Sequence, residues 1–304
     1  QEQPQRLVAI LLRCQLSGMR LILKTSSVMK NLGNDWRART SKNTNFNNNG
    51  ANYGGAIALL NQNDKTLNID NCGFDNNTTV TNIGSDLYVF QGSILSININ
   101  NSTFFNSEEP IVNEMGGGST TINVSKSVFY NVDDIINLKN NSSTNATFTN
   151  CTFFTTIEPS GSGTGGSGDL TAINCIFYPY VDSVGYHMHD FFRGFSNYSV
   201  SYSLTYYDGD WNFEADPLFT NSNIGDLTLQ WGSPAIDAGD PSSPLDPDGT
   251  IADMGAYYYH HETTDYTGSQ IIAASEGVHI GTIEITDEGT ITDLNVLVNY
   301  SSDY

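Results

Sequence analysis

Short stretches of alternating apolar and polar residues recur along the chain. One stretch, LNIDNCGF, runs from Leu67 to Phe74, and related stretches end at Phe104, Phe129, Phe153 and Phe177. These phenylalanines are 30, 25, 24 and 24 residues apart, and a fainter copy ends 28 residues before the first of them. Alternation with a period of two is typical of strands, and a fixed repeat without a helical pattern between copies is typical of a solenoid.

Written in register, the copies form columns of like residues. An apolar column holds Leu67, Ile97, Ile122, Ala146 and Leu170; a polar column holds Asn71, Asn101, Lys126, Asn150 and Asn174; a column of small residues holds Cys72, Ser102, Ser127, Cys151 and Cys175. Parallel strands lie about 4.8 Å apart, so each column is expected to stack. Asparagines at a bend can then bond to the backbone and to one another, while the phenylalanines fill the inside of the coil.

A second strand is predicted after several of the phenylalanines, at Gly54–Leu60, Ser85–Phe90 and Asp133–Leu138. Strand after strand, separated by Asn, Ser and Gly turns, indicates an all-β chain folded as a single-stranded parallel β-helix. An ordinary β-sandwich with coincidental spacing is the alternative.

Charge is distributed unevenly along the chain. Residues 1–45 hold eight of the 12 basic residues and two acidic ones, whereas the rest holds four basic and 31 acidic residues, a net charge of -27. A body this acidic repels phosphate backbones, so nucleic acid is excluded as its expected partner. No apolar run approaches the roughly 20 residues that a membrane-spanning helix needs.

Short motifs resemble known repeat proteins. Phe46–Asn49 (FNNN), Phe74–Asn77 (FDNN) and Gly54–Ile57 (GGAI) resemble the repeats of polymorphic outer-membrane proteins. Ala215–Phe219 (ADPLF) and Gly232–Tyr257 (GSPAIDAGD…DMGAY) resemble the closing rung of secreted bacterial β-helix surface proteins. The resemblance, to the pectate-lyase-like superfamily, implies a right-handed coil and an exported bacterial protein. Lys126 departs from the asparagine column, and only one GGAI copy is intact.

Four regions are expected from these patterns. Residues 1–40 form a basic segment, either a cap or an ill-defined end, and residues 41–258 form the β-helix with its closing rung. Residues 259–270 form a linker. Residues 271–304 form an incomplete β-sandwich, because Gly281–Tyr304 resembles the opening strands of the P domain that follows convertase proteases.

A dense group of aspartates lies in the stretch DAGDPSSPLDPDGTIAD. Its members are Asp237, Asp240, Asp246, Asp248 and Asp253. Carboxylate oxygens on a tight Gly/Pro loop suit calcium, which makes a structural calcium site one interpretation. The other interpretation is a set of Asx-turns that cap the open end of the coil, since the longer DxDxDG loop is absent.

Aromatic residues crowd the stretch from Tyr178 to Trp211. Exposed rings can stack on sugar faces while carboxylates accept hydroxyl hydrogen bonds, so a glycan-contacting patch is one interpretation. Its expected residues are Tyr186, Tyr206, Tyr207, Asp208, Asp210 and Trp211. Alternatively, the rings cover the core of the coil.

A catalytic site has weaker support in the sequence than the calcium site or the glycan-contacting patch. Asp133 and Asp134 form a pair at a bend, and Arg193 is one of the four basic residues of the body. Inverting glycoside hydrolysis needs two carboxyl groups roughly 6.5–9.5 Å apart, which an adjacent pair without a further partner does not supply. A lyase would need more basic groups to hold an acidic polysaccharide. A solvated turn is the alternative for the aspartate pair.

Histidine and cysteine give further candidates for special chemistry. His187 and His189 could ligate a metal, although a third ligand is not evident and a polar loop is the alternative. Cys151 and Cys175 lie on neighbouring rungs, close enough for a disulfide, or they are simply small wall residues.

The expected function is a secreted or cell-surface module for adhesion or glycan binding. Acidic solenoids rich in Asn, Ser, Thr and Gly present extended faces for binding. Glycans or surface proteins are the expected partners of a monomeric chain. A polysaccharide lyase or glycoside hydrolase on the same coil is the rival, because the fold does not decide between them.

Overall fold

The structure is a computed structural model. It describes residues 21–23, 38–62, 65–80, 84–92, 94–114, 119–139, 143–155, 166–178 and 192–261. The chain divides into two compact units, Gln1–Tyr259 and His260–Tyr304. The expected sandwich at 271–304 lies outside the described residues, as does most of the basic segment 1–40 and of the linker 259–270.

Three parallel sheets form the walls of a β-solenoid. Sheet 1 has the order β2 (Ala38–Lys42), β6 (Lys65–Asp70), β10 (Ile94–Asn100), β13 (Ser119–Ser125), β16 (Ser143–Thr149), β18 (Asp169–Ile173) and β21 (Asn197–Ser201). Sheet 2 has the order β1 (Leu21–Leu23), β3 (Thr44–Asn47), β7 (Gly73–Asp75), β11 (Thr103–Phe105), β14 (Val128–Tyr130), β17 (Thr152–Phe154) and β19 (Ile176–Tyr178). Sheet 3 has the order β5 (Ile57–Gln62), β9 (Leu87–Gly92), β12 (Ile111–Glu114), β15 (Ile136–Leu138) and β20 (Phe192–Arg193).

Few other elements accompany the coil in the described residues. β4 (Gly50–Ala51) and β8 (Thr78–Thr79) pair in parallel at a corner, and β22 (Phe219–Asn221) and β23 (Asp226–Leu229) form an antiparallel hairpin. One 3₁₀ turn, Ser222–Ile224, lies inside this hairpin. The expected all-β parallel solenoid is therefore confirmed, while the right-handed sense of the coil stays a prediction.

Register within the sheets is the one that the sequence columns predict. Ile97 pairs with Leu67 on one side and Ile122 on the other, and Ala146 pairs with Leu170. These side chains are buried, with polar residues alternating on the outer face of sheet 1. Sheet 3 contains the three strands that the sequence predicts after the phenylalanines. It also contains β12, which the sequence pattern did not predict.

A file of stacked phenylalanine rings fills the coil beneath sheet 2. Its members are Phe46, Phe74, Phe104, Phe129, Phe153 and Phe177, with neighbouring centroids 4.6 to 5.1 Å apart. The rings are nearly parallel, at 1° to 19°. The predicted stacking is confirmed, and each inner ring is removed from water on both faces by its neighbours.

Left-handed turns between sheets 1 and 2 explain the asparagine column. Asn43, Asn71, Asn101, Lys126, Asn150 and Asn174 all have φ between 47° and 54°. Asparagine tolerates this conformation better than other residues with a side chain. The side chains also form a ladder, since Asn71 Nδ2 donates to Asn43 Oδ1 at 2.6 Å. A second left-handed column follows sheet 2 at Asn48, Asn76, Asn106 and Asn131.

The corner before sheet 3 accounts for the FxxN and GGAI motifs. Asn49 Nδ2 donates to Asn77 Oδ1 at 2.9 Å, and Asn77 Nδ2 donates to the Phe46 carbonyl at 2.8 Å. Gly54 has φ 59°, and a Cβ on Gly55 would lie 2.3 Å from the Ser85 carbonyl oxygen. Buried asparagines and close backbone contact therefore require these residue types.

Residues 215–259 form what we call the lateral segment. It covers the outer face of sheet 2, where Val128 and Ile176 pack with Phe219, Leu229 and Met254 in a second apolar core. This placement differs from the closing rung that the sequence predicts, because in the described residues the segment adds no strand to the three sheets. The physical reason is that outward positions of sheet 2 are themselves apolar and need cover; they include Phe105, Tyr130, Phe154 and Tyr178.

Replacement of Phe129 by alanine is expected to destabilise the coil strongly. The ring is fully buried between Phe104 and Phe153, with Phe148 edge-on at 6.0 Å. The cavity is expected to lower the free energy of unfolding by about 3–5 kcal/mol, measured by denaturant titration. Val80, 82% exposed, is the control, and Val80→Ala should change stability by less than about 0.5 kcal/mol. A Phe129→Ala variant as stable as Val80→Ala would contradict the stacked core.

Replacement of Asp86 by asparagine is expected to change how stability depends on pH. Asp86 is fully buried at the corner before sheet 3, and burial raises the pKa of its carboxyl to about 7 despite a hydrogen bond from Asn77. An unfolded aspartate has a pKa of about 3.9, so the folded state keeps this proton to higher pH. The contribution of Asp86 to stability is therefore full below about pH 4 and is lost as pH rises to about 7, at up to about 1.4 kcal/mol per pH unit.

Asp86→Asn should remove that component of the slope between pH 4 and 7, measured by denaturant titrations across this range. The Phe129→Ala variant is the control because it lowers stability but keeps Asp86, so its slope should match that of the parent chain. Identical slopes for the parent and Asp86→Asn would show that Asp86 does not hold a proton in the fold.

Candidate functional site

Among the described residues, the coil ends in a final, much shorter turn of backbone. After β21, Tyr202 takes the next left-handed position with φ 47°, and Trp211 follows only nine residues later with φ 62°. The Tyr202 N–H donates to the Asp210 carbonyl at 2.9 Å. The Asn43 N–H forms the equivalent hydrogen bond with the carbonyl of Asp70, which lies on the next rung. Leu204 and Phe213 form a parallel bridge. Residues 209–213 therefore stack on residues 200–204 and continue the asparagine column with two aromatic residues.

Two residues hold this turn in place. Asn212 Nδ2 donates to the Val200 and Tyr207 carbonyls, both at 3.1 Å, and Asn212 Oδ1 accepts the Ser203 N–H at 3.0 Å. A Cβ on Gly209 would lie 1.9 Å from the Val200 carbonyl oxygen, so only glycine fits there. The turn is thus held by hydrogen bonds of its own backbone and of the Asn212 side chain.

We call Tyr202, Trp211, Asp208 and Asp210 the aromatic platform. The Trp211 ring stacks on the Tyr202 ring, with centroids 6.1 Å apart and an interplanar angle of 19°. Trp211 is nevertheless 72% exposed, and both aspartates are exposed. A bulky residue with positive φ is uncommon and costs free energy, and such strain is concentrated at functional sites. An exposed indole can stack on a sugar ring, and nearby carboxylates can accept hydrogen bonds from the hydroxyl groups of the sugar.

The structure separates the ligand-contacting residues that the sequence predicts. Trp211, Asp208 and Asp210 lie together in the final turn, whereas Tyr207 packs edge-on against Phe177 at 6.1 Å and covers the end of the core. Tyr206 is half-buried against Tyr207, with centroids 4.4 Å apart. Tyr186 lies outside the described residues.

The sequence analysis missed Tyr202 as the stacking partner of Trp211. A usable signal was present, because Tyr202 stands 28 residues after Asn174 and falls in the asparagine column. An aromatic residue in a column whose other members are asparagines and Lys126 indicates a different role for that turn.

The aspartates of the lateral segment bond mainly to nearby backbone. Asp253 is buried; its Oδ1 accepts the Asp237 N–H at 2.7 Å and its Oδ2 accepts the Tyr259 N–H. Burial raises the pKa of Asp253 to about 6. Asp246 Oδ2 accepts the Asp253 N–H at 2.7 Å.

Two more aspartates of this group, Asp240 and Asp248, form Asx-turns. Asp240 Oδ1 accepts the Ser242 N–H at 2.8 Å, and Asp248 Oδ1 accepts the Thr250 hydroxyl at 2.8 Å. Among the described residues there is no group of three or more His, Cys, Asp or Glu side chains that could hold a metal ion. Turn formation is thus the visible role of these carboxylates, and calcium binding by them stays a prediction of the sequence alone.

This acidic loop docks on the asparagine column. Asn150 Nδ2 donates to the Asp253 carbonyl at 2.7 Å, and Asn174 Oδ1 accepts the Asp240 N–H at 2.7 Å. Lys126, which interrupts the column, interacts electrostatically with Asp246 and lowers its pKa, although burial raises that pKa overall. The departure from asparagine at this rung therefore has a physical reason.

Asp134 and Arg193, the catalytic alternative, form an ion pair. Arg193 Nε donates to Asp134 Oδ1 at 2.7 Å across 59 residues of sequence. Asp134 is fully buried and Asp133 nearly so, which corrects the expectation of a solvated turn. Burial raises the pKa of Asp134 to about 7, against the hydrogen bond from Arg193. Glu109 and Lys139 pair close by at 3.1 Å.

Thiols and histidines add no further site within the described residues. Cys72, Cys151 and Cys175 are buried free thiols, consistent with wall residues, and burial raises the pKa of Cys151. His187 and His189 lie outside the described residues. In the part of the chain that the structure describes, no helix has the length and hydrophobicity to cross a membrane.

The chain matches no protein-family model, no curated protein and no solved structure.

Proposed function

We propose that the chain is a non-catalytic module of the cell exterior that binds carbohydrate through the aromatic platform. The observation that carries this proposal is the exposed Trp211 ring, stacked on Tyr202 and held in a left-handed backbone conformation. A tryptophan that only covered the core would bury its ring, as Phe177 and Phe192 do. Solvent-facing tryptophan beside carboxylates is suited to sugar rings, whose faces are apolar and whose edges carry hydroxyls.

The scaffold supports a binding role. A solenoid of stacked rungs is an extended, rigid support, and the final turn places the platform at one end of the sheets rather than on a long loop. Residues on rigid elements lose little freedom when a ligand binds, so less of the binding free energy is spent on ordering them.

We further propose that the protein is an exported bacterial surface protein with repeats of the polymorphic outer-membrane type. The buried contacts of Asn49 and Asn77 and the close backbone packing at Gly54 and Gly55 support this, because they give each motif residue a structural role in the coil. Surface glycans or surface proteins would be its partners, and the chain would act as a monomer.

Replacement of Trp211 by alanine is expected to abolish carbohydrate binding while leaving the coil folded. Immobilised neutral, amino and acidic glycans should include at least one class that binds the parent chain, and loss of the indole should weaken that binding at least about tenfold, or about 1.4 kcal/mol. Binding is measured by titration calorimetry with the best glycan.

Trp231→Ala is the matched control, since Trp231 is 58% exposed and lies in the lateral segment. It should bind as the parent chain does, and both variants should keep the parent melting temperature within a few degrees. Equal binding by the parent chain and Trp211→Ala would contradict the platform.

A second candidate function is a polysaccharide lyase or glycoside hydrolase, and one observation favours it. Asp134 and Arg193 meet at 2.7 Å, and the pKa of Asp134, raised to about 7, suits proton transfer at neutral pH. The burial of Asp134 counts against it, because a general acid or base must reach the substrate.

Asp134→Asn separates the two functions in an assay against uronate and neutral polysaccharides. Turnover by the parent chain that is lost in Asp134→Asn would establish the enzyme and overturn the non-catalytic proposal. Absence of turnover in both, with the parent chain still binding glycan, is the expected result.

A further inference from the structure

The charge around the aromatic platform is entirely negative in sequence. Residues 194–304 contain 18 acidic residues and no lysine or arginine. Four of the acidic residues fall within nine positions around Trp211, namely Asp208, Asp210, Glu214 and Asp216, and all four are exposed.

In the part of the chain that the structure describes, no basic residue forms an ion pair with these four carboxylates. In the described part of the chain, the ion pairs join Lys42 to Asp70, Lys139 to Glu109 and Arg193 to Asp134. Asp216 Oδ1 accepts the Leu218 N–H at 2.9 Å, so this carboxylate also stabilises the local backbone turn. These exposed carboxylates, close to Trp211 in sequence, are therefore available to interact with a ligand that approaches the turn.

An aromatic face flanked by carboxylates attracts cations in two ways. The ring quadrupole draws a cation to the indole face, and an ammonium group forms charge-assisted hydrogen bonds with carboxylate oxygens. Sugars that carry carboxylate or sulfate groups are repelled by the same field. Neutral sugars are neither attracted nor repelled by this charge, and they keep the stacking contribution and the hydrogen bonds from their hydroxyl groups.

We infer that the aromatic platform selects glycans with free amino groups, of the glucosamine type, over their N-acetylated and uronic-acid counterparts. The inference rests on the proposed function and goes beyond it by naming the ligand class. Trp211 supplies the stacking surface for every sugar, and Asp208 and Asp210 supply the preference for the amine.

The test compares three hexasaccharides of equal length by titration calorimetry: β-1,4-linked glucosamine, its N-acetylated form and a uronic-acid hexamer. At slightly acidic pH and low salt, the parent chain should bind the amino form at least about tenfold more tightly than the acetylated form. The uronic-acid form should show no binding. The advantage of the amino form should shrink in about 0.5 M salt, because screening weakens exposed charge pairs.

Variants assign the preference to particular residues. The double variant Asp208→Asn, Asp210→Asn should bind the amino and acetylated forms equally, whereas Trp211→Ala should lose both. The control double variant Asp240→Asn, Asp248→Asn removes the same charge from the lateral segment and should keep the preference. Melting curves verify that each variant is folded.

The outcomes separate the inference from the proposed function. If all forms that bind do so equally and Trp211→Ala loses them, the inference is wrong and the binding function stands. If no hexasaccharide or other glycan binds, the proposed function fails and the inference with it. If the preference for the amine survives in Asp208→Asn, Asp210→Asn but falls in the control, the attraction comes from the acidic body, and the inference is also wrong.

Discussion

In-register stacking of like side chains at the strand spacing determines most of this structure. Neighbouring rings of the phenylalanine file are 4.6 to 5.1 Å apart, which is close to the distance between parallel strands of about 4.8 Å. One register therefore stacks the rings, pairs the strands and aligns the asparagine turns. A register slip of one residue would turn every inward side chain of a strand outward. The alternating pattern therefore fixes the ring stacking, the strand pairing and the turn alignment together.

The same register explains where a binding surface can arise. Asparagine stabilises each left-handed turn, because its side-chain amide forms a hydrogen bond with the neighbouring rung. A large aromatic ring at this position cannot form that hydrogen bond. Tyr202 and Trp211 occupy the last two left-handed positions of that column among the described residues, and Trp211 is 72% exposed. Violations of local preference are expected at functional sites, where the benefit lies in the ligand rather than in the fold.

Much of the coil was predictable from the sequence, because in a solenoid a local spacing of residues is also a spatial contact. Phe104 and Phe129 are 25 residues apart and stack for that reason alone. The lateral segment was not predictable in the same way, since its contacts with sheet 2 depend on shape and follow no repeat. The Tyr202–Trp211 pair was missed because the final turn takes nine residues instead of about 24, which breaks the period on which the columns were read.

Acidic residues have two distinct roles in this chain. Asp86, Asp134 and Asp253 are buried, accept hydrogen bonds within the fold and have raised pKa values, so their charge contributes little to the surface. Asp208 and Asp210 are exposed and precede Trp211 by three residues and one residue in the same turn. A net charge of -21 is therefore a poor guide to ligand chemistry by itself. Under the proposed function, the exposed carboxylates decide which ligand is attracted, because four of them lie within the nine positions 208–216 that include the exposed Trp211.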